Sequence, residues 1–227
     1  MPKSGAKGDD PAGSGERLPR GRHGLPREIV AENQRERLIS GIIAAVAENG
    51  YPETTIATIV KAAELSRKTF YEHFKNKEEC FAAAYEATFD YLRQAIGGVE
   101  VDGDWGQLVR GRLERLLALL SAEADLATFF LVAPTSAGDK IVEVHHETMR
   151  KLVGALTKGA PKGRKGQPAG TREQALAGGI SRLIVLRLSA GEAEELPALL
   201  PALTELVLRP YLGGEEAVRV AEEGSSG

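Results

Sequence analysis

Residues 50–79 read GYPETTIATIVKAAELSRKTFYEHFKNKEE, and the spacing describes two helices joined by a tight turn. Ile56, Ile59, Val60 and Ala63 fall on one face of a helix that starts at Thr54 or Thr55. Ser66 is a good N-cap, because its hydroxyl can accept from a free amide of the first helical turn. Phe70 and Phe74 then follow four apart. Ile56, Ile59 and Ala63 must pack on the two phenylalanines, which frees the opposite face of the later helix. That face presents Arg67, Lys68, Thr69, Tyr71 and, toward its end, His73.

Working upstream, Leu38, Ile39, Ile42, Ile43 and Val46 recur at three- and four-residue spacing in a helix beginning near Glu28, and Asn49-Gly50 stops it. Three helices within about fifty residues, the last two separated by a few residues, meet the requirements of a helix-turn-helix. A helix as short as the third fits a major groove about 12 Å wide, with its N-terminal residues at the base edges. Arg67 and Lys68 could donate to guanine. Thr69 could touch a thymine methyl or a phosphate, and the Tyr71 hydroxyl suits a phosphate contact. Lys77 and the free amides at the next helix start would meet the backbone, where the helix dipole favours anions. On pattern alone the alternative stays open: a small helical subdomain with a solvated basic face.

The stretch from Gly50 to Glu79 closely resembles the DNA-binding domain of TetR-type transcriptional regulators. Its most specific part is Thr69-Phe70-Tyr71-Glu72-His73-Phe74, followed by Lys75, Asn76, Lys77 and Glu78. The resemblance covers about residues 28–80, and the remainder agrees only in helix number and length. It implies a homodimer on a roughly palindromic operator. It also implies that Thr55, Arg67, Lys68, Thr69, Tyr71, His73 and Lys77 occupy positions the family uses at DNA. One departure concerns the turn, where the family commonly has Gly and this chain has Glu64. Positive φ is uncommon outside glycine. Either the turn differs, or Glu64 ends the second helix without a left-handed residue, and the angle between the two helices is left open.

Downstream, Lys77 opens a longer helix with an inner stripe of Phe81, Tyr85, Thr88, Phe89, Leu92 and Ile96, ended by Gly97-Gly98. Further helices are expected at about 104–121, 123–132, 138–158, 171–189 and 197–212, with Pro201 delaying or kinking the last. No strand-like alternation of any length occurs. The expected fold is all-α with about nine helices: a helix-turn-helix domain over 25–76 and a larger helical domain over 77–212. Residues 1–24, rich in Gly, Pro, Ser and Arg, read as a disordered basic arm, either a solvated tail or one that touches phosphate. Residues 213–227 show no core face and read as a disordered tail, and Gly159–Gly170 as a linker.

The family resemblance implies effector binding and dimerisation for the second domain, with its last two helices (171–189 and 197–212) pairing with those of a second copy. An internal core explains their leucines equally well. Trp105, Phe129, Phe130, His145, His146 and Met149 are the candidates to line a pocket for a small-molecule effector, with plain core packing as the alternative. His145 and His146 project about 100° apart on a helix, so both cannot face inward. Glu143 and His146 could share a metal only with ligands from elsewhere, and no HExxH is present, so neither metal nor cofactor is expected.

Composition narrows the classes. Over 227 residues, 42% hydrophobic and 27% charged content excludes wholesale disorder. Cys80 is the single cysteine, which excludes an internal disulfide and a zinc site built on Cys pairs. No uncharged apolar run reaches the roughly eighteen residues of a membrane span, and no secretory h-region follows the N-terminal basic residues, so a cytoplasmic protein is expected. The net charge of −3 divides into +3 over residues 16–77 and −6 over residues 78–227, so an acidic total does not argue against nucleic acid. Phosphate-binding glycine motifs and GxSxG are lacking, and no Cys/His or Ser/His/Asp set has supporting spacing. The expectation is a ligand-responsive transcriptional regulator, a repressor released from its operator by a small molecule. The rivals are a helical interaction scaffold without sequence-specific DNA binding and a small-molecule enzyme.

Overall fold

The structure is a computed structural model that describes residues 26–161 and 170–223. The expected arm over 1–24, most of the 159–170 linker and residues 224–227 lie outside the described residues. Among the described residues there are ten α-helices and no strand.

Helix α1 (Arg27–Glu53) buries Leu38, Ile42, Ala45 and Val46. It kinks at Gly50, whose φ of 75° and ψ of 158° suit glycine. The buried Thr54 hydroxyl donates to the Gly50 and Ala45 carbonyls (2.8 and 3.2 Å), so the backbone freed by the kink is not left unpaired. Helices α2 (Ile56–Ala62) and α3 (Arg67–His73) follow, capped by Thr55 and Ser66.

The turn between them settles the question raised by Glu64. This residue has φ of 52°, and it is the one non-glycine with positive φ among the described residues. The amide of Leu65 donates to the Val60 carbonyl at 2.9 Å, closing α2 with a left-handed residue despite the missing glycine. Arg37 of α1 steadies this turn by donating to the carbonyls of Ala63 (2.7 Å) and Glu64 (3.1 Å). A left-handed non-glycine residue costs roughly 1–2 kcal/mol, and a new glycine returns part of that gain to the unfolded chain. Glu64→Gly should therefore stabilise the protein by about 0.5–1 kcal/mol, read as a higher urea midpoint with unchanged slope.

Helix α4 (Lys77–Gly97), capped by Asn76, runs out of the headpiece into the second domain. There α5 (Trp105–Ala122), α6 (Ala124–Leu131), α7 (Asp139–Leu156), α8 (Thr171–Ser189) and α9 (Leu200–Leu212) pack around Leu92, Leu113, Leu117, Phe130, Ile184 and Leu203. The buried Arg112 of α5 donates to the carbonyls of Leu156 (3.1 Å) and Lys158 (3.2 Å), placing a cation at the negative end of α7. Pro201 sits in the first turn of α9, where its missing donor costs nothing, and a 3₁₀ segment, Ala193–Leu199, precedes it.

The expected tail over 213–227 needs correction. Gly213 (φ 90°) turns the chain back, and Gly214–Glu222 form α10. Ala217, Val220 and Ala221 are buried on its inner face, and its polar side is tied down by Gln107 donating to Glu223 at 3.2 Å. The stripe follows helical spacing, but two of its three members are alanines and give little apolar signal.

The two domains share one core. Tyr51 at the α1 kink meets the Phe81 ring edge-on at 4.8 Å, and Phe81 lies 4.8 Å from Phe129 of α6. Helix α4 is thus packed against the kink that positions α2.

Candidate nucleic-acid interface

Helix α3 is held from behind and open in front. Phe70 is fully buried and Phe74 nearly so, with ring centroids 5.9 Å apart. Ser66 Oγ accepts from the Thr69 amide at 3.0 Å, satisfying one of the free donors at the helix start. On the outer face Arg67, Lys68 and Tyr71 are exposed, and Thr69 is half-buried. Tyr71 is 60% exposed, its ring edge resting on Phe70 at 5.5 Å. The ring is therefore braced at its base while the hydroxyl stays free. Lys68 reaches Glu72 only at 3.8 Å, a weak pair at such exposure, so its ammonium remains available to another anion. Thr55 is exposed at the start of α2, in a reciprocal capping box with Thr58.

His73 and Lys77 stand differently from the other residues chosen from sequence. His73 Nε2 lies 3.2 Å from Gln34 Oε1 of α1. Lys77 Nζ donates to the Tyr51 carbonyl at 2.9 Å and sits 4.2 Å over the Tyr51 ring. Both tie the end of α3 and the start of α4 to α1. Burial, reinforced by Glu78, pushes the Tyr51 phenol up to about 12, so it stays neutral beneath that cation.

The pocket candidates in the second domain do not form one group. Trp105 packs edge-on against Tyr211 at 5.1 Å, apart from the others. Phe129 is fully buried beside Phe81 and Tyr85. Phe130 stacks on Tyr85 at 4.9 Å and, with Met149, lines a small apolar cavity of about 30 Å³. His145 is buried and His146 exposed. Both border a groove of about 1110 Å³ between α7 and α8. His145 Nδ1 lies 2.6 Å from the Tyr85 hydroxyl, a pairing across 60 residues that no local spacing could reveal. Arg37 and Tyr51 are likewise positioning residues that periodicity alone does not single out.

Burial, with His146 close by, lowers His145 to about 4. The folded state keeps the ring neutral, whereas the unfolded chain takes up a proton near pH 6.5. This contribution is therefore fully present above pH 6.5 and is lost as pH falls toward 4. Between pH 6.5 and 5 it should amount to about 2 kcal/mol. His145→Gln should remove that slope, read as urea midpoints at the two pH values against the unaltered chain.

A three-helix headpiece with its basic face outward, set on a larger helical domain, defines a helix-turn-helix protein. Residues 38–84 match the family model described as bacterial regulatory proteins, tetR family. Over these residues the chain is similar to that family. It is 30% identical over 74 residues to IcaR, the HTH-type negative transcriptional regulator of the biofilm operon icaADBC in Staphylococcus epidermidis, covering 30% of this chain and 40% of that protein. It is 31% identical over 93 residues to the transcriptional regulator AcuR of Cereibacter sphaeroides, covering 40% of this chain and 42% of that one. The matches thus span about two fifths of these relatives' own length. The fatty acid degradation regulator FadR from Bacillus halodurans superposes over 77% of this chain and 94% of its own, with a TM-score of 0.63 at 21% identity, a likeness of fold. Among the described residues, no helix is long and apolar enough to cross a membrane.

Proposed function

We propose that this chain is a ligand-responsive transcriptional repressor that binds a palindromic operator as a homodimer and leaves it when a small molecule occupies the second domain. The observation that carries the reading is the exposed face of α3, where Arg67, Lys68 and Tyr71 stand outward over two buried phenylalanines. Arg67 and Lys68 reach base edges or phosphates, Thr69 and Tyr71 add hydroxyl contacts, and Thr55 meets a phosphate at the start of α2. His73 and Lys77 hold the angle of approach through Gln34 and Tyr51.

Dimerisation runs through α8 and α9. Leu186 is 47% exposed on α8, and Ala175, Ala202 and Leu206 line a shallow trough between the two helices. A second copy supplies the cover for this face. The two copies of α3 then address successive major grooves about 34–36 Å apart.

Coupling follows the aromatic contacts from His145 to Tyr85, Phe81 and Tyr51, which end at the α1 kink. An effector shifts the equilibrium only by its difference in affinity for the two spacings. The function is binding, with no covalent chemistry. The test is selection from a random duplex pool by the full chain. Enrichment of a palindrome with half-sites one helical turn apart supports the reading. Retention of duplexes without sequence preference, or no retention, contradicts it and favours an interaction scaffold.

A further inference from the structure

We propose that the groove between α7 and α8 binds an amphipathic carbonyl compound, an apolar chain headed by a carboxylate or an ester-type C=O, with His145 and Arg182 reading the head. The proposal rests on the regulatory reading only for the consequence of binding, not for binding itself.

The apolar part is built from a shared wall. Leu131, Met149, Ala177 and Ser181 border both the groove and the small apolar cavity. Met149 is unbranched and has three rotatable bonds, so a rotamer change joins the two spaces at little cost. The cavity, at about 30 Å³, accepts only the tip of a chain, and the groove takes the remainder.

The polar part is specific. The Tyr85 hydroxyl and His145 Nδ1 share a hydrogen bond at 2.6 Å; with the phenol, the stronger acid, assigned as donor, the ring proton sits on Nε2, the atom left free of that bond. A neutral imidazole N–H at the edge of an apolar floor asks for an acceptor, and covering it with hydrocarbon alone would leave it unpaired. On the facing helix, Arg182 is exposed and forms no ion pair among the described residues. Arg150 and Lys151, also at the rim, are already engaged by Glu147 at 2.7 and 3.8 Å. The groove therefore offers one buried donor and, in Arg182, a cation without an ion pair among the described residues, beside an apolar channel that the Glu143 and Glu147 carboxylates also border. A cationic amphiphile would meet Arg182 with like charge and His145 without an acceptor, and would have Glu143 as its counter-charge at the rim.

The test is calorimetric titration of the full chain, below micelle concentrations, with decanoate, methyl decanoate and decyltrimethylammonium. Decanoate and its methyl ester should bind and the cation should not. His145→Leu should weaken both binders by about tenfold or more, while His145→Gln, which keeps an N–H donor, should recover part of that loss. Arg182→Ala should weaken decanoate by about tenfold and the ester by less than about twofold. The Nε2 resonance of ¹⁵N-labelled His145 should move on addition of either. Equal binding of all three probes, an unmoved His145 resonance, or no binding of either carbonyl probe overturns the proposal. No DNA is present, so a failed duplex selection leaves this result untouched. Binding without operator release would support the site while contradicting release by ligand.

Discussion

Phe70→Ala should destabilise the headpiece by about 3–5 kcal/mol and abolish duplex binding, whereas Tyr71→Ala should change stability by less than about 0.5 kcal/mol and still lose the duplex. The two rings are neighbours in sequence and touch edge to edge, yet they face opposite environments. Phe70 is fully buried among α1, α2 and α3, so truncation removes its transfer energy and leaves a cavity that short helices cannot close. Tyr71 has 60% of its surface in solvent and forms no buried hydrogen bond, so the fold loses little with it. Urea unfolding at pH 7 with duplex affinity measured beside it separates the cases. A Tyr71→Ala protein that is stable and still binds would remove α3 from the interface.

The second large effect lies at Gly41. A Cβ added there would stand 2.8 Å from both the Ala63 Cβ and the Ile59 carbonyl oxygen, and 2.9 Å from the Ala63 amide nitrogen. Alanine would gain about 1 kcal/mol in helix propensity. That gain does not offset contacts with backbone atoms that have no rotamer to change. Gly41→Val adds two more methyl groups and should cost about 3 kcal/mol, the upper part of the usual overpacking range. The strain falls where α1 meets the end of α2, beside the Glu64 turn, so the variant should also misplace α3. The expected result is a lower urea midpoint and duplex binding weakened by about tenfold or more. Unchanged binding would mean that the α1–α2 contact does not set the recognition geometry.

These residues also mark where sequence reading succeeds and where it ends. Ser66, Phe70 and Phe74 announce α3 because a cap and two rings four apart are local signals. Glu64 carries no such signal, since its left-handed conformation is held by Arg37 from 27 residues upstream. The α10 helix escapes notice because alanines bury well but mark no hydrophobic stripe. Trp105 and Phe130 look equivalent as aromatic pocket candidates, and only tertiary packing puts the first against Tyr211 and the second on the cavity wall. His145 and His146 are separated by helical geometry, but which one turns inward depends on Tyr85 across the bundle. Local chemistry writes the headpiece into the sequence, whereas the second domain is defined by contacts between distant segments.

Hydroxyl-radical footprinting of the full chain, with and without the duplex it selects, addresses the placement of α3 most directly. Tyr71 is the exposed ring on that face, while Tyr91 and Tyr211 are half-buried in the second domain and serve as internal references. Bound duplex should shield Tyr71 from oxidation by about fivefold or more, with Tyr91 and Tyr211 unchanged. Oxidation of Tyr71 at its free rate while the duplex is fully bound would contradict this placement of α3.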